Sequence, residues 1–166
     1  MRLSPIVALI VAVFFAFMGT VAFDSGRLLI AINQKATEIA GMAGGRNTFE
    51  GPVTHVRDAD TIEVEGVAVR LQGVSAPERG HALYNKGKAF MVRLVMGQAV
   101  RCELDGTRTH DRVVGVCYLN GRDIGAEVIR AGLALDCPRF SKGRYLDLET
   151  PEARQIIKHQ SYCQPR

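Results

Sequence analysis

The 166-residue sequence lacks a strong charge of either sign: 21 Lys and Arg stand against 17 Asp and Glu, a net charge of +4. A balance that mild, beside 47% hydrophobic residues, excludes an intrinsically disordered chain. It also gives no bulk electrostatic reason to bind nucleic acid. A second long apolar run is missing, which excludes a polytopic membrane protein. No C-x-x-C pair occurs and the four His are scattered, so a zinc site has no ligand pattern to rest on. There is no internal repeat and no low-complexity tract. The length leaves room for one domain of ordinary size and an appendage.

The apolar content is concentrated at the start. Residues 5–23 read PIVALIVAVFFAFMGTVAF without a charge. As a helix this stretch spans about 28 Å, close to the hydrocarbon thickness of a bilayer. A secretory h-region is shorter, about 7–15 residues, and ends in a small-x-small cleavage site. Thr20-Val21-Ala22 fits that pattern poorly. Residues 1–23 are therefore expected to be an uncleaved signal anchor, with a cleaved signal peptide as the alternative. A buried core helix is disfavoured, because nothing downstream offers it a partner. Arg2 would keep the amino end in the cytoplasm, so the rest would face the periplasm from the inner membrane, or be secreted. Residues 24–46 read as a connector that ends at Gly44-Gly45, and 47–166 as the folded domain.

Cys102, Cys117, Cys137 and Cys163 follow this export signal in even number, which suggests disulfides in an oxidising compartment. Three pairings are open. Cys102 and Cys117 flank an expected hairpin, and Cys137 and Cys163 bracket the last segment, which favours those two pairs.

The domain alternates short β-branched runs with amphipathic ones. Strands are expected at 53–58 and 61–65, with a return strand at 67–74 after the turn Glu65-Gly66. Setting Val64 opposite Val67 puts Ile62 opposite Val69 and Thr61 opposite Arg70. Leu83, Phe90, Met91, Leu94 and Val95 make one stripe of a helix over 83–96 that Gly97 stops. Strands at 99–104 and 113–119 are expected to flank a polar loop, 105–111. Helices follow at 125–134 and 151–158, the second with Thr150 as N-cap and Pro151 at the first helical position. Five short strands with about three helices predict an α+β fold, a small barrel with attached helices.

Three pieces carry candidate chemistry. Arg57-Asp58-Ala59-Asp60-Thr61 lies between two strands, where paired Asp residues are more often turn caps than ligands. Arg70 sits in a strand that runs into Ser75-Ala76-Pro77-Glu78, and a lone strand Arg is more often a solvated residue. His110-Asp111-Arg112 opens another strand, where the plain reading is a surface hairpin. Taken in order with Tyr118-x-Asn120-Gly121 and Arg130-x-Gly132-x-Ala134, these pieces resemble the staphylococcal nuclease (thermonuclease) family over about residues 50–145.

That resemblance implies a five-stranded OB-fold barrel with packed helices. It also implies a Ca²⁺-dependent phosphodiesterase that cleaves DNA and RNA to leave 3′-phosphate ends. Arg70 and Arg112 would stabilise the pentacoordinate phosphate, since guanidinium forks match its oxygens bidentately. Glu78 would position or activate the attacking water. Asp60 would bind the ion, with Ser75 and Ala76 at the remaining ligand positions, and Asp58 would brace the turn. His110, where the family tends to have Tyr, would reach the substrate phosphate. Arg139 and Lys142, with Phe140 and Tyr145 interleaved, would form a single-strand platform or else a solvated loop.

The departures lie at the ion. Ser75 stands where the family has Asp, and Ala76 where it has Thr. Ala76 can still offer a backbone carbonyl, but Ser75 removes a carboxylate, so Ca²⁺ is expected to bind at least about tenfold more weakly. Ala59, where Gly is frequent, is a lesser change. The expected partners are single-stranded DNA or RNA and, through the N-terminal helix, a membrane, with the domain acting as a monomer. The competing readings are a catalytically weakened OB module that binds a polyanion or a protein in the cell envelope, and an accessory to envelope or polysaccharide assembly.

Overall fold

The computed structural model describes residues 47–164. The expected membrane segment and the connector lie outside these residues. The elements are β1 (Asn47–Asp58), β2 (Thr61–Val64), β3 (Val67–Leu71), β4 (Val74–Ser75), α1 (Tyr84–Val95), β5 (Ala99–Thr109), β6 (Arg112–Leu119), β7 (Arg122–Asp123), α2 (Ile124–Arg130), β8 (Leu135–Asp136), α3 (Pro138–Ser141) and α4 (Pro151–Ile156). The class is α+β, with a large sheet and few helices, consistent with the OB-type fold expected.

The main sheet runs β3-β2-β1-β5-β6-β7, and β3 also pairs in parallel with β6. That extra pairing closes β1, β2, β3, β6 and β5 on one another, which removes the open edges a flat sheet would leave. Glu65 and Gly66 both have positive φ (48° and 81°), the two-residue turn whose twist matches a hairpin. The register is Val64 opposite Val67, Ile62 opposite Val69 and Thr61 opposite Arg70, as predicted. Ile62, Val64, Val69, Met91, Val95, Val100, Ile124 and Ile129 are fully buried and form the core with the inner faces of α1 and α2.

Several predicted boundaries move. The first strand begins at Asn47 rather than 53, because residues 47–52 pair with β5. The return strand ends at Leu71 rather than 74. Gln72 donates its N–H to Gly115 O at 2.8 Å, Gly73 turns the chain at φ 75°, and Val74–Ser75 pairs with β8 instead. Residues 105–109 are not a loop. They continue β5 past an irregularity between Leu104 and Arg108. Their side chains are largely exposed, so this end of the ribbon needs no apolar face and hides its strand character behind polar residues. The 125–134 helix stops at Arg130, and the 151–158 helix at Ile156.

Caps and staples match the local chemistry. Asp123 accepts from the N–H groups of Gly125 and Ala126, at 2.9 and 3.1 Å, and so caps α2, a bond worth about 1 kcal/mol. Thr150 accepts from Ala153 N–H at 3.1 Å and caps α4, with Pro151 as its first residue. Of the three pairings open to the cysteines, the structure has Cys102–Cys117, across β5 and β6, and Cys137–Cys163.

Asp136 is fully buried, and neither carboxylate oxygen has a hydrogen-bond partner among the described residues. Burial raises its pKa, the nearby Ser141 hydroxyl opposes the rise, the Glu149 carboxylate adds to it, and the Tyr145 and Cys137 backbones oppose it further. The folded state therefore holds a proton that the unfolded chain has already lost, so Asp136 weakens folding as pH rises above its unfolded pKa, about 3.9. Asp136→Asn removes that penalty. The stability of the variant relative to wild type should increase from about pH 3, below the unfolded pKa, to pH 8 in urea titrations. A difference that is flat or falls with pH rules this out.

Candidate functional site

β1 and β2 meet at Asp58-Ala59-Asp60-Thr61. Asp58 Oδ1 accepts from the Asp60 N–H at 3.1 Å, which folds the turn and aims the Asp60 side chain inward. Asp60 is buried, and three donors surround it. Arg70 Nη1 lies 2.8 Å from Oδ2, Ala76 N–H donates to the same oxygen at 3.0 Å, and Thr61 Oγ1 donates to Oδ1 at 3.1 Å. Arg112 Nη1 donates in turn to Thr61 Oγ1 at 3.2 Å. One carboxylate thus links two guanidinium groups through a single hydroxyl. The parallel pairing of β3 with β6 places the two arginines on adjacent strands.

The two arginines differ in their surroundings. The Arg70 side chain is 15% exposed and shares its charge with Asp60. Arg112 has no carboxylate partner among the described residues, and its positive charge remains available to an anion. Glu78 follows Ala76 and the buried Pro77 into the loop before α1. It is exposed, and its carboxylate has no hydrogen bond or ion pair among the described residues. Such a carboxylate can take a proton from water or orient it.

Ser75 is buried in β4 opposite Leu135. His110 is exposed in the β5–β6 turn at φ 56°, with Nδ1 3.3 Å from Thr109 Oγ1. Arg139 lies on α3 with its guanidinium over the Phe140 ring, and Lys142 caps α3 and donates from Nζ to Arg139 O at 3.2 Å. Among the described residues, none of these four side chains is bonded to Asp60, Arg70, Glu78 or Arg112. Tyr145 is only 2% exposed and donates to Asp123 at 2.9 Å. It belongs to the core, so Phe140 alone remains as an exposed ring of the expected platform.

Two members of the arrangement, Arg57 and Thr61, lie in the segment that stood out in the sequence but had no expected role there. Thr61 was visible only as the last letter of D-x-D-T. Arg57 donates to Glu63 at 2.7 Å and to Asp111 at 2.6 Å, tying β1 and β2 to the turn before Arg112. Glu63 pairs with His55 in the β1–β2 register, and the ladder is irregular between Val56 and Asp58, so neither contact of Arg57 follows from spacing alone.

A calcium ion needs six to eight oxygen ligands. Among the described residues no group of three or more His, Cys, Asp or Glu is placed to hold a metal. The Asp60 carboxylate is the one acidic group at the centre of the arrangement, and its oxygens already accept from Arg70, the Ala76 N–H and Thr61. Burial pushes the Asp60 pKa up to about 7, with Arg70 opposing the rise and Asp58 adding to it. A single carboxylate held by three donors fits at most a weak cation site, one that water and substrate oxygens would have to complete.

A family model of staphylococcal nuclease homologues matches residues 68–161, a stretch that includes Arg70, Ser75, Ala76, Glu78 and Arg112. The chain is similar to a succinoglycan biosynthesis protein, ExoI, of Rhizobium meliloti (strain 1021), at 37% identity over 54% of this chain and 53% of that protein. It is similar to an uncharacterized endonuclease of Haemophilus influenzae, at 28% identity over 63% of this chain and 61% of that protein. A micrococcal nuclease of Shigella flexneri is 31% identical over 42% of each chain. The chain thus spans about two fifths to three fifths of the length of these relatives. With the family match covering more than half of the chain, the protein belongs to the family of staphylococcal nuclease homologues.

Proposed function

We propose that the chain is a Ca²⁺-dependent phosphodiesterase acting on single-stranded DNA or RNA, built on a five-stranded OB-fold barrel. The observation that carries this reading is the linked set Arg70, Asp60, Thr61 and Arg112, with the free Glu78 carboxylate on the loop that starts from Ala76. A phosphodiester is an anion that gains charge as water adds. Arg112 meets that charge with unpaired donors, and Arg70 adds those not held by Asp60. Glu78 orients the water or takes its proton. Asp60, with Ala76 and Ser75, would hold Ca²⁺, which supplies neutralisation of the phosphate. His110, two residues before Arg112, would donate to a phosphate oxygen. Arg139, Lys142 and Phe140 offer a peripheral contact for the strand. The domain works as a monomer outside the cytoplasm, anchored through residues 1–23, and its two disulfides suit that compartment. The test is to incubate the 166-residue chain in detergent with labelled single-stranded DNA and RNA, with Ca²⁺ or with a chelator. Ca²⁺-dependent cleavage to 3′-phosphate ends is expected; no cleavage in millimolar Ca²⁺ rejects the reading.

A second reading has its own observations, Ser75 and the similarity to a protein named for succinoglycan biosynthesis. In it the domain binds a polyanion and does not turn over. Ser75→Asp bears on both. Position 75 is 1% exposed, so a carboxylate there is costly without a counterion. The variant should melt lower in chelator, recover in Ca²⁺, and bind Ca²⁺ at least about tenfold more tightly by calorimetry. An unchanged Ca²⁺ affinity would show that position 75 does not face the ion. An inert wild type that gains cleavage on Ser75→Asp favours the second reading.

A further inference from the structure

β1 presents His55 and Arg57 on one face, two residues apart. α1 presents Tyr84 and Lys88 one turn apart. Between the two elements, with Arg79 from the preceding loop, lies a cleft of about 430 Å³ whose edge includes Asp58 and Glu78. That volume falls in the usual range for a bound small molecule, about 300–1,000 Å³. Asp58 and Glu78 of the candidate site thus share this cleft with its basic residues.

Its charges are unequally committed. Arg57 is held by Glu63 and Asp111. Lys88 has no carboxylate partner among the described residues. Arg79 has only the Tyr84 ring, 6.0 Å from its guanidinium carbon, and His55 has no side-chain bond there. Structural salt bridges do not account for two such cations in a concave wall beside a phosphate-cleaving site. An ammonium group suits a phosphate oxygen as a point charge, and an aromatic wall suits a base or sugar.

We propose that this cleft is a second subsite for the nucleic-acid strand, holding the nucleotide next to the scissile phosphate. Lys88 and Arg79 take its phosphate, and Tyr84 packs against its sugar or base. The site thus selects chains over single diesters. This rests on the nuclease reading for its substrate class, and the test separates the two.

The 166-residue chain in detergent is titrated with fluorescein-labelled (dT)2 and (dT)8 in chelator, and cleavage of the same oligonucleotides is followed separately in Ca²⁺. The double variant Arg79→Ala, Lys88→Ala should weaken (dT)8 binding about tenfold or more and (dT)2 binding less than twofold. Its log K against log salt slope should fall by about 1–2, and KM for (dT)8 should rise in parallel. Arg122→Ala, an exposed arginine on β7, should change neither length. Equal losses for both lengths, no loss, or an acidic polysaccharide that displaces (dT)8 as well as unlabelled (dT)8 does would overturn the subsite. If (dT)8 is bound in this length-dependent way but never cut, the subsite stands and the nuclease reading falls. If cutting is normal and indifferent to the double variant, the reverse holds.

Discussion

Glu78→Gln should leave the melting temperature unchanged and lower kcat on single-stranded DNA by about 10²–10⁴. The two halves of this expectation have separate causes. The carboxylate is exposed and has no hydrogen bond or ion pair among the described residues, so neutralising it removes no interaction from the folded state. Its position is nevertheless defined. Ala76 N–H is held at 3.0 Å by Asp60, Pro77 is buried and fixes its own φ, and Glu78 comes next. Gln keeps the shape and can accept a hydrogen bond, but it cannot take a proton. If Glu78 acts on water, KM stays near wild type while kcat falls, because the lost interaction belongs to the transition state. Cleavage within tenfold of wild type would remove Glu78 from the mechanism.

Arg70→Ala and Arg112→Ala should both lower kcat/KM by about 10²–10³, yet they should differ sharply in stability. Arg70 is the only cation paired with the buried Asp60 among the described residues. Without it an uncompensated carboxylate remains inside, a change that costs about 3–5 kcal/mol. Arg112 gives up one bond to Thr61 Oγ1 and a long one to Thr109 O at 3.4 Å, about 1 kcal/mol together. Urea unfolding in chelator, set beside steady-state cleavage, separates the roles. Arg112→Ala should lose activity as a folded protein. Arg70→Ala should lose both, with part of the stability returning at low pH, where Asp60 is protonated. Equal stability of the two variants would mean that Arg70 does not neutralise Asp60.

Much of the fold was legible because its signals are local. Alternating β-branched residues mark β2 and β3, the Glu65-Gly66 turn sets their register, and Thr150-Pro151 starts α4. The signals failed where partners are distant. Residues 105–109 read as a loop because their strand pairs along an exposed ribbon and carries no apolar face. The break at Leu71 depends on Gly115 and Cys137, both far along the chain. Gly87 was absent from the expected helix stripe because glycine adds no hydrophobic signal. It is buried, and a Cβ there would stand 3.0 Å from the Ala59 methyl.

The candidate site divides in the same way. Asp58, Asp60, Arg70, Glu78 and Arg112 were legible as an ordered set, because charged residues at strand ends survive as pattern whatever the fold. The sequence by itself determined the class of elements, the hairpin register, the family and the missing carboxylate at position 75. Only the tertiary structure decided that Thr61 joins Arg112 to Asp60, that Tyr145 is core, and that Lys88 and Arg79 face a cleft beside Glu78. Hydrogen bonds and clefts form between groups that closure of the sheet brings together from positions tens of residues apart, and local periodicity carries no record of that distance.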